Sequence, residues 1–315
     1  MSKPIWKIVL LAALVSASLV AVIWLPAVHP DGYLKAAYGK HRALLATPAP
    51  RLIFIGGSNL AFGLDSRKIQ ETTGLPVVNM GLHTELGLRY MINEVRPDIR
   101  PGDVVVVIQE YPFQLECAYT LLEHFLFFPQ GIRYVDRATV LALLRQFPMT
   151  AQRRFEGVLR SHLLLHGAPL PPEFGYNASG FNEYGDNTGH LTRNNKVFPL
   201  TEMVIPEAVP ETVAALNRFA RELETRGARL LLSFPPCPQS CYTAEAARRG
   251  ERLFRRIQEQ GAFALLGRPA DFVFTDSMFY DTVYHLNRTG RELRTRLLAG
   301  FLLQALASPR PEGPR

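Results

Sequence analysis

The chain predicts an α/β domain built on a parallel sheet, and three observations carry that prediction. Short apolar runs recur along it, from Arg51 to Ile55, Leu75 to Met80 and Val104 to Ile108. Each is continuous rather than alternating, as a strand covered on both faces requires. The stretches between them read as helices, and this strand–helix–strand spacing argues parallel strands joined by right-handed crossovers.

Taken in order, the first element precedes the domain. From Ile8 to Val28 twenty-one residues carry no charge, behind Lys3 and Lys7. A helix rising about 1.5 Å per residue covers with them the roughly 30 Å of a hydrocarbon core. Trp6 and Trp24 lie near its two ends, where interfacial aromatics belong. The preceding lysines set the N-terminus in the cytoplasm and the rest outside, so residues 1–29 read as a single-pass anchor in the inner (cytoplasmic) membrane with a periplasmic domain. The alternative is a cleaved signal peptide; the length of the run and the lack of a following Ala-x-Ala site favour the anchor.

Residues 30–50 read as a linker, with a short basic helical stretch between His29-Pro30 and Thr47-Pro48. The domain then spans 51–307. Its first strand stops at Gly56-Gly57, and a helix from about Asp65 to Thr73 closes at Gly74. The second strand ends at Gly81, a helical stretch covers about Thr84 to Val95, and Pro101-Gly102-Asp103 turns into the third strand. Regularity is lost over about 112–200, read as an insertion with helices around Ala138–Leu144 and Thr150–Leu164. A helix near Glu211–Thr225, a strand at Arg229–Phe234, a helix at Ala244–Gln260, a fifth strand near Phe272–Thr275 and a last helix from about Arg288 to Leu306 complete the pattern. The Pro/Gly/Arg-rich tail, 308–315, reads as disordered.

Composition bounds the function. Of 315 residues, 47% are hydrophobic and 20% charged, ordinary for a folded domain. The net charge of +7 is spread along the chain, with no compact basic and aromatic cluster, which argues against nucleic-acid binding. Three cysteines, Cys117, Cys237 and Cys241, are too few at these spacings for a structural metal site. Cys-Pro-Gln-Ser-Cys leaves a small disulfide open. No metal or organic cofactor is called for.

Three segments carry chemistry. Ser58 follows a buried strand and two glycines, at the carboxyl edge where open parallel sheets bind ligands. The segment Gly56-Gly57-Ser58-Asn59 lacks the Gly-Lys-Ser/Thr of a P-loop and the second glycine of a Gly-x-Ser-x-Gly elbow. Asn79-Met80-Gly81 ends the neighbouring strand, so that the Gly81 N–H, with the Ser58 backbone, can bind an oxyanion. Asp281 and His285 stand four residues apart just before the last helix, where the carboxylate can orient the imidazole as base for the serine. A fourth stretch, Asn182 to His190, is dense in hydrogen-bonding groups; Asn182, Asp186 and His190, with Asn59 and Asn79, are candidate substrate contacts.

Together, Ile-Gly-Gly-Ser58-Asn, Asn79-Met-Gly81 and Asp281…His285-Leu-Asn…Gly290 resemble the SGNH (GDSL-like) hydrolase superfamily. The anchor, the His-Leu-Asn-x-x-Gly segment and the asparagine-rich middle look like its membrane-anchored branch, which includes proteins of teichoic-acid D-alanylation and of alginate and cellulose O-acetylation. The resemblance implies a flavodoxin-like three-layer α/β/α fold and serine acyl chemistry on a cell-surface polysaccharide, as esterase or acyltransferase. It also implies work beside a multi-span membrane O-acyltransferase. Two departures stand out. The Asp-x-x-x-His spacing is one residue longer than the usual Asp-x-x-His, and the place of the third oxyanion donor reads Ile108-Gln109-Glu110, with Gln109 the candidate substitute. A weakened oxyanion hole leaves a second expectation: a weakly active or inactive accessory subunit of such a complex.

Overall fold

The computed structural model describes residues 3–24, 32–113, 116–164 and 176–308. Its strands are β1 (Leu52–Gly56), β2 (Val77–Asn79), β3 (Val104–Ile108), β4 (Arg229–Ser233), β5 (Cys237–Pro238), β6 (Ala264–Leu266) and β7 (Val273–Phe274). Its α-helices are α1 (Lys3–Trp24), α2 (Ala36–Ala46), α3 (Ser58–Gly63), α4 (Ser66–Thr73), α5 (Leu88–Val95), α6 (Ala118–Phe127), α7 (Arg137–Leu164), α8 (Pro210–Thr225), α9 (Ala244–Gln260) and α10 (Arg288–Ala307).

Five parallel strands form the central sheet in the order β2-β1-β3-β4-β6. Leu52–Gly56 and Val104–Ile108 are buried at every position, as strands with helices over both faces must be. The chain leaves β1 to one side for β2, then crosses back past β1 to β3. This reversal makes the gap between β1 and β3 the switch point of a doubly wound sheet, the place where such folds hold ligands. In register, Gly56 lies opposite Ile108, so the residues two beyond each, Ser58 and Glu110, leave the sheet at the same height. Right-handed crossovers put the helix between β1 and β2 on one face and those after β2 and β3 on the other; α10 returns to lie along α4 and β6.

Several expected elements are redrawn. The fifth strand of the sheet is β6, whereas Val273–Phe274 pairs with Cys237–Pro238 in a separate two-stranded sheet. The two helices expected around 138–164 are one, α7, with Pro148 inside it, and α6 precedes it. Residues 33–46 are no connector: Tyr33, Leu34, Ala36, Ala37 and Leu44 are buried in the core. Arg51, fully buried, binds Asp103 and the Leu44, Thr47 and Asp98 carbonyls, tying this segment to the sheet. The three cysteines are free thiols, so the Cys237–Cys241 bridge is not formed.

Among the described residues no helix is long and apolar enough to cross a membrane. The described side chains of α1 are those of residues 6–11 and 13–18, and all are exposed. Residues 25–28 of the expected span, and most of the expected disordered tail, lie outside the described residues.

Candidate active site

Ser58 is the first residue of α3, directly beyond β1. A backbone N–H at that position has no partner within its helix, which suits Ser58 as an oxyanion donor. The tight passage from strand to helix needs both glycines. A Cβ on Gly56 would lie 2.0 Å from the Ile108 carbonyl oxygen, and one on Gly57 2.6 Å from Glu110 Oε1.

His285 arrives from the far end of the chain. Its Nε2 is 2.8 Å from Ser58 Oγ and its Nδ1 is 2.8 Å from Asp281 Oδ1. The extra residue between Asp281 and His285 is absorbed by a closed loop. Phe279 bridges Leu286, the Tyr280 N–H donates to the His285 carbonyl, and Thr282 Oγ1 accepts from the His285 N–H. Both side chains therefore project to the same side. Asn287 then caps α10 by accepting from the Gly290 N–H, which explains why the Leu-Asn-x-x-Gly run follows the histidine.

Two aromatic residues absent from the sequence-based candidates complete the support. Phe62, on α3, stacks face to face on His285, with centroids 4.1 Å apart and planes 8° from parallel. Tyr176 donates to Asp281 Oδ2 at 3.0 Å, and its hydroxyl is also 3.0 Å from His285 Nδ1. Burial works to raise the Asp281 carboxyl, but the bonds from His285 and Tyr176 outweigh it and hold the group below its ordinary range. An anionic Asp281 keeps the Nδ1–H tautomer of His285, leaving Nε2 to face the serine. Phe62 marked no site in the sequence because an aromatic at helical spacing reads as core. Tyr176 lies far in sequence from all its partners.

The oxyanion assignments are corrected. The Gly81 N–H donates to Asn79 Oδ1 at 2.9 Å and is committed there. Gln109 is fully buried and turned away, its amide donating to Thr84 Oγ1 and the Thr84 carbonyl. The neighbouring residue, Glu110, reaches the site instead. Its Oε1 accepts from the Asn59 N–H at 2.8 Å and stands 3.1 Å from Ser58 Oγ. Both residues lie just beyond the end of β3, and their side chains turn apart, Gln109 to Thr84 and Glu110 to the serine.

The proposed substrate contacts are corrected as well. Asp186 is fully buried and accepts from the Ser66 N–H, Ser66 Oγ, Asn79 Nδ2 and Arg291 Nη2. It ties the 176–190 segment to β2, α4 and α10. Asn182 closes a turn, its Oδ1 accepting from the Tyr184 and Asp186 N–H groups. His190 packs on Phe62 with Nε2 2.9 Å from the Leu286 carbonyl. Burial lowers its pKa to about 4, keeping it neutral. Asn59 is clamped by Arg294, which donates to its carbonyl and to its Oδ1. Polar residues at a strand edge suggest substrate contacts, but here they bind one another.

The arrangement can perform nucleophilic acyl chemistry: a partly exposed serine at the switch point, a histidine within hydrogen-bond reach, and an oriented carboxylate behind it. No family model matches the chain, and no curated protein matches it.

Proposed function

We propose that this protein is a serine-dependent esterase or O-acyltransferase of SGNH-like, flavodoxin-like architecture. It acts from the outer face of the inner membrane on acyl esters, acetyl above all, of an exported or cell-surface polysaccharide. One observation carries the proposal. Ser58, His285 and Asp281, drawn from opposite ends of the domain, form a chain of two 2.8 Å contacts at the β1/β3 switch point. Ser58 attacks the acyl carbonyl while His285 takes its proton, Asp281 steadies the imidazolium, and His285 returns the proton to the leaving oxygen. A sugar hydroxyl or water then takes the acyl group by the same path in reverse.

Support for the membrane location comes from the uncharged Ile8–Val28 run and from the exposed Ile8, Val9, Leu10, Leu11, Leu14 and Val15 of α1. Such a surface suits lipid rather than water. An anchored domain stays near a membrane-borne acyl donor, and a multi-span O-acyltransferase is the partner the reading calls for.

A second reading rests on one observation: Glu110 presents a carboxylate to Ser58, and the Gly81 and Gln109 donors are engaged elsewhere. An accessory subunit that binds polymer without turnover would tolerate this. A fluorophosphonate probe separates the two. Labelling of the full chain at Ser58, lost in His285→Ala, supports catalysis; an unlabelled wild type supports the accessory role.

A further inference from the structure

Ile132, Leu141, Leu144 and Met149 are each more than half exposed, and all lie on α7 or on the turn leading into it. The core face of α7 is the stripe of Thr139, Leu143 and Ala151, all buried. Arg137, Leu141, Leu144 and Pro148 recur at the same helical spacing about a third of a turn further round, and all are exposed. A surface helix ordinarily turns a polar face away from its core stripe. This one turns leucine, proline and methionine outward, with arginines among them.

The free charge on this surface has one sign. Between Pro129 and Met149 the basic residues are Arg133, Arg137 and Arg145. The single acid there, Asp136, is taken by Arg89 of α5 and by the Thr139 N–H. All three arginines are exposed and form no ion pair among the described residues. Such side chains lay their stems along apolar surface and carry the charge out to an anionic headgroup. The neighbouring element points the same way. α1, whose described side chains are all exposed, packs against α7, so a bilayer that takes up α1 also reaches α7.

The pair α6 and α7 also hangs from the rim of the active site. The Cys117 N–H donates to the Glu85 carbonyl and Thr120 Oγ1 to the Glu85 carboxylate, which holds the start of α6. Thr139 Oγ1 donates to Glu116 Oε1 at 3.2 Å, which holds the start of α7. The turn bearing Glu85 begins at Thr84, and Thr84 sits against the backbone next to Ser58: a Cβ on Gly57 would lie 2.9 Å from Thr84 Cβ. Whatever fixes α7 in place therefore fixes the serine relative to it.

Resting on the membrane-anchored reading above, we propose that the outer face of α7, with Ile132 before it, is a lipid-docking surface. It lies in the headgroup layer of an anionic bilayer, with its leucines and Met149 among the upper acyl chains and its arginines against lipid phosphates. α1 tethers the chain and α7 orients it, so that the carboxyl edge of the sheet and Ser58 are held at a fixed height over the lipid. A fixed height suits an acyl donor delivered at the membrane surface.

The test uses the full chain in vesicles whose lipids carry brominated acyl chains, which quench a tryptophan that touches them. Trp6 and Trp24 are the only tryptophans, so a Trp6→Phe/Trp24→Phe chain carrying Leu144→Trp reports on α7 alone. The same chain carrying Glu259→Trp, at an exposed position of α9, is the reference. In vesicles of phosphatidylcholine with phosphatidylglycerol, Leu144→Trp should be quenched at least about twofold more than Glu259→Trp. Leaving out the phosphatidylglycerol should remove about half of that excess or more. Quenching of Leu144→Trp that only matches Glu259→Trp overturns the proposal and leaves the face to a protein partner. Quenching that is equal with and without the anionic lipid overturns it too. In both cases strong quenching of Trp6 and Trp24 in the wild type keeps the anchored reading, whereas wild-type tryptophans that escape quenching overturn both. Leu144 is 64% exposed, so a tryptophan there displaces no packing. Matching circular dichroism spectra show that the comparison is between folded proteins.

Discussion

His285 is held from three sides: Asp281 and Tyr176 at Nδ1, Phe62 across its face, and Ser58 at Nε2. The two assignments that follow from residue type and position, serine after a strand and histidine before the last helix, are the ones the geometry joins. Asp281 joins them despite its longer spacing, because a closed loop absorbs the additional residue. The Tyr176 hydroxyl touches both members of the acid–base pair, so its loss should act on chemistry more than on binding. Tyr176→Phe removes a hydrogen bond to a charged group, worth about 1.5–3 kcal/mol. Ester hydrolysis should show kcat lowered by about ten- to a hundredfold with little change in KM. An unchanged kcat would reduce Tyr176 to packing.

At the scale of elements, the sheet was legible in the sequence because a parallel core leaves continuous apolar runs ending at glycine. β1, β2, β3 and β4 fall where those runs predict. β6 was missed because Ala264–Leu266 is only three residues long and two of them are half-exposed, so its apolar signal is weak. The 182–190 segment was misread for a different reason. Hydrogen-bonding density marks a loop that binds something, and sequence does not say whether the partner is a sugar or the protein itself. Asp186 decides between these. Asp186→Ala takes one partner from Arg291, which keeps Asp65 and the Leu64 carbonyl, and leaves the buried donors of Ser66 and Asn79 without this acceptor, so unfolding experiments should show a loss of about 1–3 kcal/mol. KM for an acyl ester should not move in the protein that remains folded. A raised KM with unchanged stability would return Asp186 to the substrate site.

For the whole molecule, two buried histidines set a direction of pH response. Burial lowers His124 to about 3 and His190 to about 4, from an ordinary 6.5. Unfolding exposes both to protonation, so the unfolded chain binds more protons than the folded one below pH 6.5. Stability is therefore complete above 6.5 and declines by about 1.4 kcal/mol per pH unit for each histidine as pH falls from 6.5, levelling off below about 4 for His190 and about 3 for His124. Denaturant titrations across that range should show the fall, and a flat profile would mean that both rings are accessible in the folded state. On the proposed reading, a domain held at the membrane by its N-terminal segment presents Ser58 to acyl groups outside it. The most direct test of that central claim is p-nitrophenyl acetate hydrolysis by the full chain beside Ser58→Ala and His285→Ala. The account predicts turnover by wild type and a loss of on the order of 10³-fold or more in each variant. Wild-type turnover that survives either substitution, or none above the buffer rate, would contradict it.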